Sequence, residues 1–113
     1  MKDLTNKIRE KASEIGFQKI GFAPAEALHT EKSRLESWLS AGFHGEMKWL
    51  ERDPERRSDP RLLFPEAKTV VALALNYYTP FQHSEKPETG KVSRYAWGDD
   101  YHDVMYEKMD NLL

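Results

Sequence analysis

Three groups of residues have types and spacings suited to chemistry. Arg52, Arg56, Arg57 and Arg61 lie in or beside the polar run ERDPERRSDP of residues 51–60. A guanidinium fork in a loop ahead of a packed strand can hold a phosphate or an amide bidentately. Asp53, Glu55 and Asp59 between them suit a surface laced with weak ion pairs, which is the plainer reading of the run by itself. Ser93, Arg94, Tyr95 and Trp97, in SRYAW, combine a cation with flat rings on which a nucleobase or macrocycle could stack. They also read as a short edge strand with core aromatics. His102 among Asp99, Asp100 and Asp103 offers imidazole and carboxylate donors to a divalent ion. Acids ahead of a helix also cap its amides and complement its dipole, which accounts for at least two of the three. His29, His44 and His83 fall in predicted loops, where exposure is expected. No G-x-G-x-x-G, Walker loop, H-E-x-x-H or nucleophile elbow occurs, so dinucleotide, phosphate-transfer and zinc-hydrolase readings have no anchor.

The elements that must position these residues follow from hydrophobic spacing. Leu4, Ile8, Ala12 and Ile15 predict a first amphipathic helix, with Asp3 as its cap and Gly16 as its stop. Residues 17–23 alternate and end at Pro24, which suits a short strand. Leu35, Trp38 and Leu39 mark a second helix over 31–40, with a further turn or two around Met47 and Leu50. The run 51–60 carries no apolar residue and is expected to be solvated or to face a polar ligand. Pro60 can begin a short helix holding Leu62, Leu63 and Phe64 under an Asp59 cap. TVVALALNYY, residues 69–78, is an apolar run of strand length and is expected to form the central strand, covered on both faces. After a polar loop over 79–90, residues 91–96 suit another short strand. Tyr101, Val104, Met105, Met109 and Leu112 then mark a helix led by Asp99 and Asp100. That helix has no stop signal before Leu113, so the chain reads as the front part of something longer.

Composition narrows the function classes. The chain has 113 residues, the size of one small domain, with 32% charged and 39% apolar residues, so a disordered or low-complexity protein is excluded. Lys and Arg total 17 against 19 Asp and Glu, a net charge of -2, and any RNA contact must therefore be local. The absence of cysteine removes disulfides, thiolate nucleophiles and iron–sulfur ligation from this chain. The opening residues have scattered charges and no apolar run, so neither a secretory signal nor a membrane span is expected, and a cytoplasmic location is the default.

GFHGEMKWLER (residues 42–52), RRSDPRLLFPEAKTVVALALNYY (56–78) and GKVSRYAWGDDYHDV (90–104), in this order, resemble the epoxyqueuosine reductases. The resemblance spans nearly the whole chain but covers only the amino-terminal part of such an enzyme. It implies a cytoplasmic oxidoreductase that removes the epoxide oxygen of epoxyqueuosine in the anticodon loop of tRNA, the last step of queuosine biosynthesis. It further implies cobalamin and two 4Fe-4S clusters as cofactors, the clusters passing electrons to cobalt and a carboxylic acid supplying a proton. The implied fold is an α/β cobalamin domain joined to a ferredoxin-like domain and a helical tail. Residues 1–113 are then the amino-terminal fragment of the cobalamin-binding catalytic domain. The expected class is α/β (α+β), a mixed sheet flanked by helices and incomplete here.

By the resemblance, Arg57 and Ser93 fall on the family's cobalamin contacts, in the E-x-R and S/C-R-x-x-W-G motifs. Arg94, Tyr95, Trp97, Tyr101 and His102 share the second motif. The proton-donating Asp and the cluster-binding cysteines are expected beyond residue 113. The fragment is therefore expected to bind neither cluster, to be inactive alone and to self-associate through exposed sheet edge and core. A reading frame continuing into two C-x-x-C-x-x-C-x-x-x-C-P motifs would separate this enzyme from two alternatives, a non-catalytic corrinoid-binding module and an RNA-binding module.

Overall fold

A computed structural model of the chain describes residues 2–113. Helix α1 spans Lys2–Ile15 and α2 His29–Ser40; a short α3 covers Pro54–Ser58, and α4 runs Tyr101–Leu112. Strands β1 (Lys19–Pro24) and β2 (Thr69–Ala74) pair antiparallel, giving the α+β class expected. The chain divides into two compact units, Met1–Gly21 with Leu73–Leu113, and Phe22–Ala72. No described helix is long and apolar enough to cross a membrane.

In the first unit, α1 ends on a left-handed Gly16 at φ +112°. The Gly16 amide donates to the Ser13 carbonyl at 3.1 Å and the Phe17 amide to the Ala12 carbonyl at 3.0 Å, a Schellman closure. Ala12 and Phe17, the two residues that this bond joins, are 0% and 5% exposed and form the core here. Asp3 lies inside α1 and pairs with Lys7 at 2.9 Å, so it is not the predicted cap. Helix α4 packs against α1, and the Lys108 ammonium donates to the Ile15 carbonyl at 2.9 Å. An added Cβ on Gly16 would meet Lys108 Nζ at 3.3 Å and would be strained at this φ regardless. Gly16→Ala is expected to destabilise the chain by about 1–2 kcal/mol, the cost of forcing an L side chain left-handed. Urea unfolding followed by circular dichroism measures it, and an unchanged midpoint would remove the closure from the stability of α1.

In the second unit, the predicted second helix forms, with Leu35, Trp38 and Leu39 half-buried, and a 3-10 turn follows at Lys48–Glu51. The run 51–60 is not a loop throughout. Pro54 occupies the first turn of α3, where its missing N–H costs nothing, and Ser58 closes it by donating to the Pro54 carbonyl at 2.7 Å. Ser58 is buried, and its carbonyl accepts from the Leu28 amide at 2.7 Å, which ties α3 to the start of α2. The predicted turn after Pro60 is present at Pro60–Leu62 with Asp59 as its cap, accepting from the Arg61 amide at 3.0 Å.

Two strand predictions are corrected. Strand β2 ends at Ala74 rather than Tyr78, because side-chain amides end its ladder. Gln18 Oε1 accepts from the Asn76 amide at 2.9 Å, and Asn76 Oδ1 accepts from the Tyr78 amide at 2.9 Å. Nor is β2 covered on both faces: it has one strand neighbour among the described residues, and Val70 and Val71 are exposed. Residues 91–96 form no strand. The Val92 carbonyl is taken by Trp97 Nε1 at 2.8 Å and by the His83 ring at 2.8 Å, and a 3-10 turn at Arg94–Ala96 follows. A carbonyl bound by side chains is lost to a ladder.

Candidate functional site

The first predicted site residue, Arg57, sits in α3 in the second unit. Its Nε donates to the Arg52 carbonyl at 3.2 Å and its Nη2 to the Trp49 carbonyl at 3.1 Å. The guanidinium lies 5.9 Å from the centroid of the Trp49 ring, which is itself exposed. With Nε and Nη2 tied to backbone, Nη1 remains for an outside acceptor. The turn that brings both carbonyls to Arg57 passes through Asp53 at φ +47°, the sole non-glycine residue with positive φ among those described. Such backbone persists where the surroundings over-determine it. Trp49, Arg52, Asp53, Arg56, Arg57 and Leu63 line a hollow of about 350 Å³.

The surface laced with ion pairs is only partly present. Arg61 pairs with Asp59 at 2.9 Å, and this bond holds the Asp59 carboxyl below the usual range. Glu55 is bound by Lys32, whose ammonium is raised chiefly by that bond. Arg52, Arg56 and Arg57 form no ion pair among the described residues. His44, expected to be exposed, is buried against Trp38 and bonds Glu51 through Nε2 at 2.6 Å. That bond, ahead of the charge of Lys48, lowers the Glu51 carboxyl. The GFHGEM turn folds the ring inward, which helical periodicity could not foretell because the residue lies between helices.

The remaining predicted site residues are in the first unit. Ser93 opens the 3-10 turn, exposed and with no side-chain capping bond. Arg94 follows; its Nη2 donates to the Phe81 carbonyl and to Gln82 Oε1, both at 3.2 Å, and its guanidinium lies 5.7 Å from the Trp97 ring centroid. Arg94 Nε is buried without a partner, a donor in want of an acceptor. His83, half-buried rather than free in solvent, meets Trp97 edge-on at 5.1 Å. Tyr95 stands edge-on between Tyr77 at 6.3 Å and Tyr101 at 5.8 Å, and Tyr101 stacks on His102 at 4.0 Å. Tyr95 and Tyr101 are about half exposed, so the aromatics are not the core of an edge strand. They wall an apolar hollow of about 470 Å³ with Leu75, Tyr77 and Met105. A neighbouring hollow of about 390 Å³ adds Gly98, Asp99, Asp100 and His102.

Asp100 caps α4, accepting from the His102 amide at 2.9 Å, while the His102 ring lies 2.8 Å from the same oxygen. No group of three His, Cys, Asp or Glu gathers to hold a metal among the described residues. The His102 amide, then its ring, depresses the Asp100 carboxyl below its ordinary value of 3.8. Its contribution to stability is therefore fully present above that value and lost as pH falls through the lower native one. Asp100→Asn is expected to flatten the acid limb of the thermal midpoint against pH; an identical limb would show that the cap does not titrate.

Trp49 and Tyr77 are absent from the residues singled out in the sequence. An aromatic eight residues before Arg57 was the available signal for the first, but only the turn at Asp53 reveals the pairing.

Comparison with known proteins places this arrangement. The family described as "Epoxyqueuosine reductase QueG, DUF1730" matches residues 57–113. An epoxyqueuosine reductase of Atelocyanobacterium thalassa is 43% identical over 96% of this chain and 36% of its own. One of Leadbetterella byssophila is 40% identical over 100% of this chain and 37% of its own. The chain thus spans about a third of the length of these curated relatives. Among solved structures, an epoxyqueuosine reductase with an epoxyqueuosine-modified tRNA-Tyr stem loop superposes with a TM-score of 0.81 at 39% identity, over 97% of this chain and 30% of that one. The enzyme of Streptococcus thermophilus gives 0.82 at 30% identity, with the same coverage. The match begins at Arg57 and includes every residue from Ser93 to His102 described above, and the chain belongs to the epoxyqueuosine reductase (QueG, DUF1730) family.

Proposed function

We propose that the chain is the amino-terminal part of the cobalamin-binding domain of a cytoplasmic epoxyqueuosine reductase. The whole enzyme acts on tRNA, with epoxyqueuosine in the anticodon loop as substrate and queuosine as product. Family membership carries the reading, and each unit by itself offers groups that suit part of the cofactor. Arg57 offers Nη1, Ser93 an unengaged hydroxyl and Arg94 an orphaned Nε, groups suited to the amide and phosphate edges of a corrinoid. Tyr95, Trp97, Tyr101 and His102 supply flat surface for its macrocycle. Bound cobalamin would supply reducing equivalents at cobalt. The part of this chain is binding and orientation, Arg57 through a fork fixed by two carbonyls and Tyr101 and His102 through a stacked wall at the start of α4.

The 4Fe-4S clusters do not fit this chain, which has no cysteine to ligate them. Neither Asp99 nor Asp103 is assigned proton donation.

Gel filtration of the chain after mixing with aquocobalamin tests the reading. Corrinoid absorbance is expected to co-elute with protein, while the chain alone leaves an epoxyqueuosine stem loop unchanged. Elution of all corrinoid at its free position would overturn the cofactor assignment, and turnover by the chain alone would overturn the division of labour.

A further inference from the structure

We propose that Arg52 and Arg56, beside Arg57 and Trp49, form a phosphodiester-binding site in the second unit. The inference extends the cobalamin reading to Arg52 and Arg56, which precede the matched residues 57–113. It rests on that reading only where the phosphodiester is the one in cobalamin's nucleotide tail.

The observation is an imbalance of charge. Among the acids of residues 51–59, Glu51 is bonded to His44 and Lys48, Glu55 to Lys32, and Asp59 to Arg61. Asp53 is left against Arg52, Arg56 and Arg57, and all four line the hollow of about 350 Å³. Neighbouring guanidiniums repel one another, so the cluster is relieved by a bound anion. The ligand class follows from the donors: planar forks match two phosphate oxygens, and the half-open Trp49 face offers a stacking surface beside them. A second hollow of about 550 Å³ shares Arg56, Arg57 and Leu63 and is walled mostly by apolar residues, Leu28 and Val70 among them, with Glu26 as its one acid. An anion held by the arginines therefore has apolar space next to it, which suits a phosphate esterified to a ring-bearing group better than free phosphate. Two ligands of the proposed enzyme carry this chemistry, the nucleotide tail of cobalamin and the tRNA backbone.

Paired ligands separate them. Cobinamide shares the corrin ring of cobalamin but lacks the phosphodiester and nucleotide. If the tail is bound, Arg52→Ala/Arg56→Ala weakens cobalamin binding about tenfold or more, the loss typical of charge-assisted bonds, and leaves cobinamide unchanged. If tRNA is bound, the double variant leaves both corrinoids unchanged. It instead weakens binding of an unmodified anticodon stem-loop RNA and lowers the salt slope by about one to two. Lys7→Ala/Lys11→Ala, which removes the same charge from exposed residues of α1, serves as the control. Equal affinities of the chain and the double variant for cobalamin and for RNA overturn the site. Failure of the unmodified chain to bind either corrinoid sinks the cobalamin reading, and the RNA arm then decides the site alone: absence of RNA binding there overturns it as well.

Discussion

Arg57→Ala is expected to lower cobalamin retention by about tenfold to a hundredfold, the largest functional effect of any single change in this chain. The side chain does not dangle: two of its nitrogens are fixed by the carbonyls of Trp49 and Arg52, and its guanidinium carbon lies 5.9 Å from the Trp49 ring centroid. The entropy of ordering it is therefore spent in folding, and a ligand meeting Nη1 gains the bond without that cost. Arg57→Lys separates charge from geometry. An ammonium restores the charge but cannot hold two carbonyls and still present a fixed third donor, so it is expected to recover little of the retention. Both variants alter an exposed residue and are expected to melt within a few degrees of the unmodified chain. Full retention by Arg57→Ala, read as corrinoid absorbance after gel filtration, would remove Arg57 from the site; full retention by Arg57→Lys would leave charge alone as its contribution.

Phe17→Ala is expected to have the largest effect on stability, about 3 kcal/mol or more, because it removes a buried aromatic from a core with little else in it. Ala12, Phe17 and Ala25 are the buried apolar residues described, and Phe17 is the only large one among them. Its ring is buried directly after the turn that closes α1, and its amide completes that turn. Loss of the ring therefore removes apolar burial and loosens the closure together. Phe17→Leu keeps most of the volume and is expected to cost roughly 1 kcal/mol. Chemical unfolding followed at the helical band reads both, and equal midpoints for the two variants would place the core elsewhere.

Much of the scaffold is legible in the amino-acid order because its determinants are local. The Leu4–Ile15 stripe with Gly16 after it, the Pro60 turn under Asp59, and the cap at Asp100 each depend on residues within a few positions, and all three form where expected. So do the strings that carry the family resemblance, since they are read as text. What the sequence by itself determined is therefore helices α1, α2 and α4, the α+β class and the family.

Only the tertiary structure decided which polar atoms are already engaged. Glu55 and Lys32 lie 23 positions apart, and their bond removes the carboxylate that would otherwise neutralise the arginines of α3. Val92 reads as a strand residue until Trp97 and His83 take its carbonyl. His44 reads as a loop histidine until the turn folds it against Trp38 and Glu51. The apolar run after Thr69 reads as a long strand, yet Gln18 and Asn76 end it at Ala74. The physical reason is common to all four. Apolar periodicity depends on side-chain type and spacing along the chain, whereas a hydrogen bond or ion pair depends on a partner at about 3 Å, which folding alone selects.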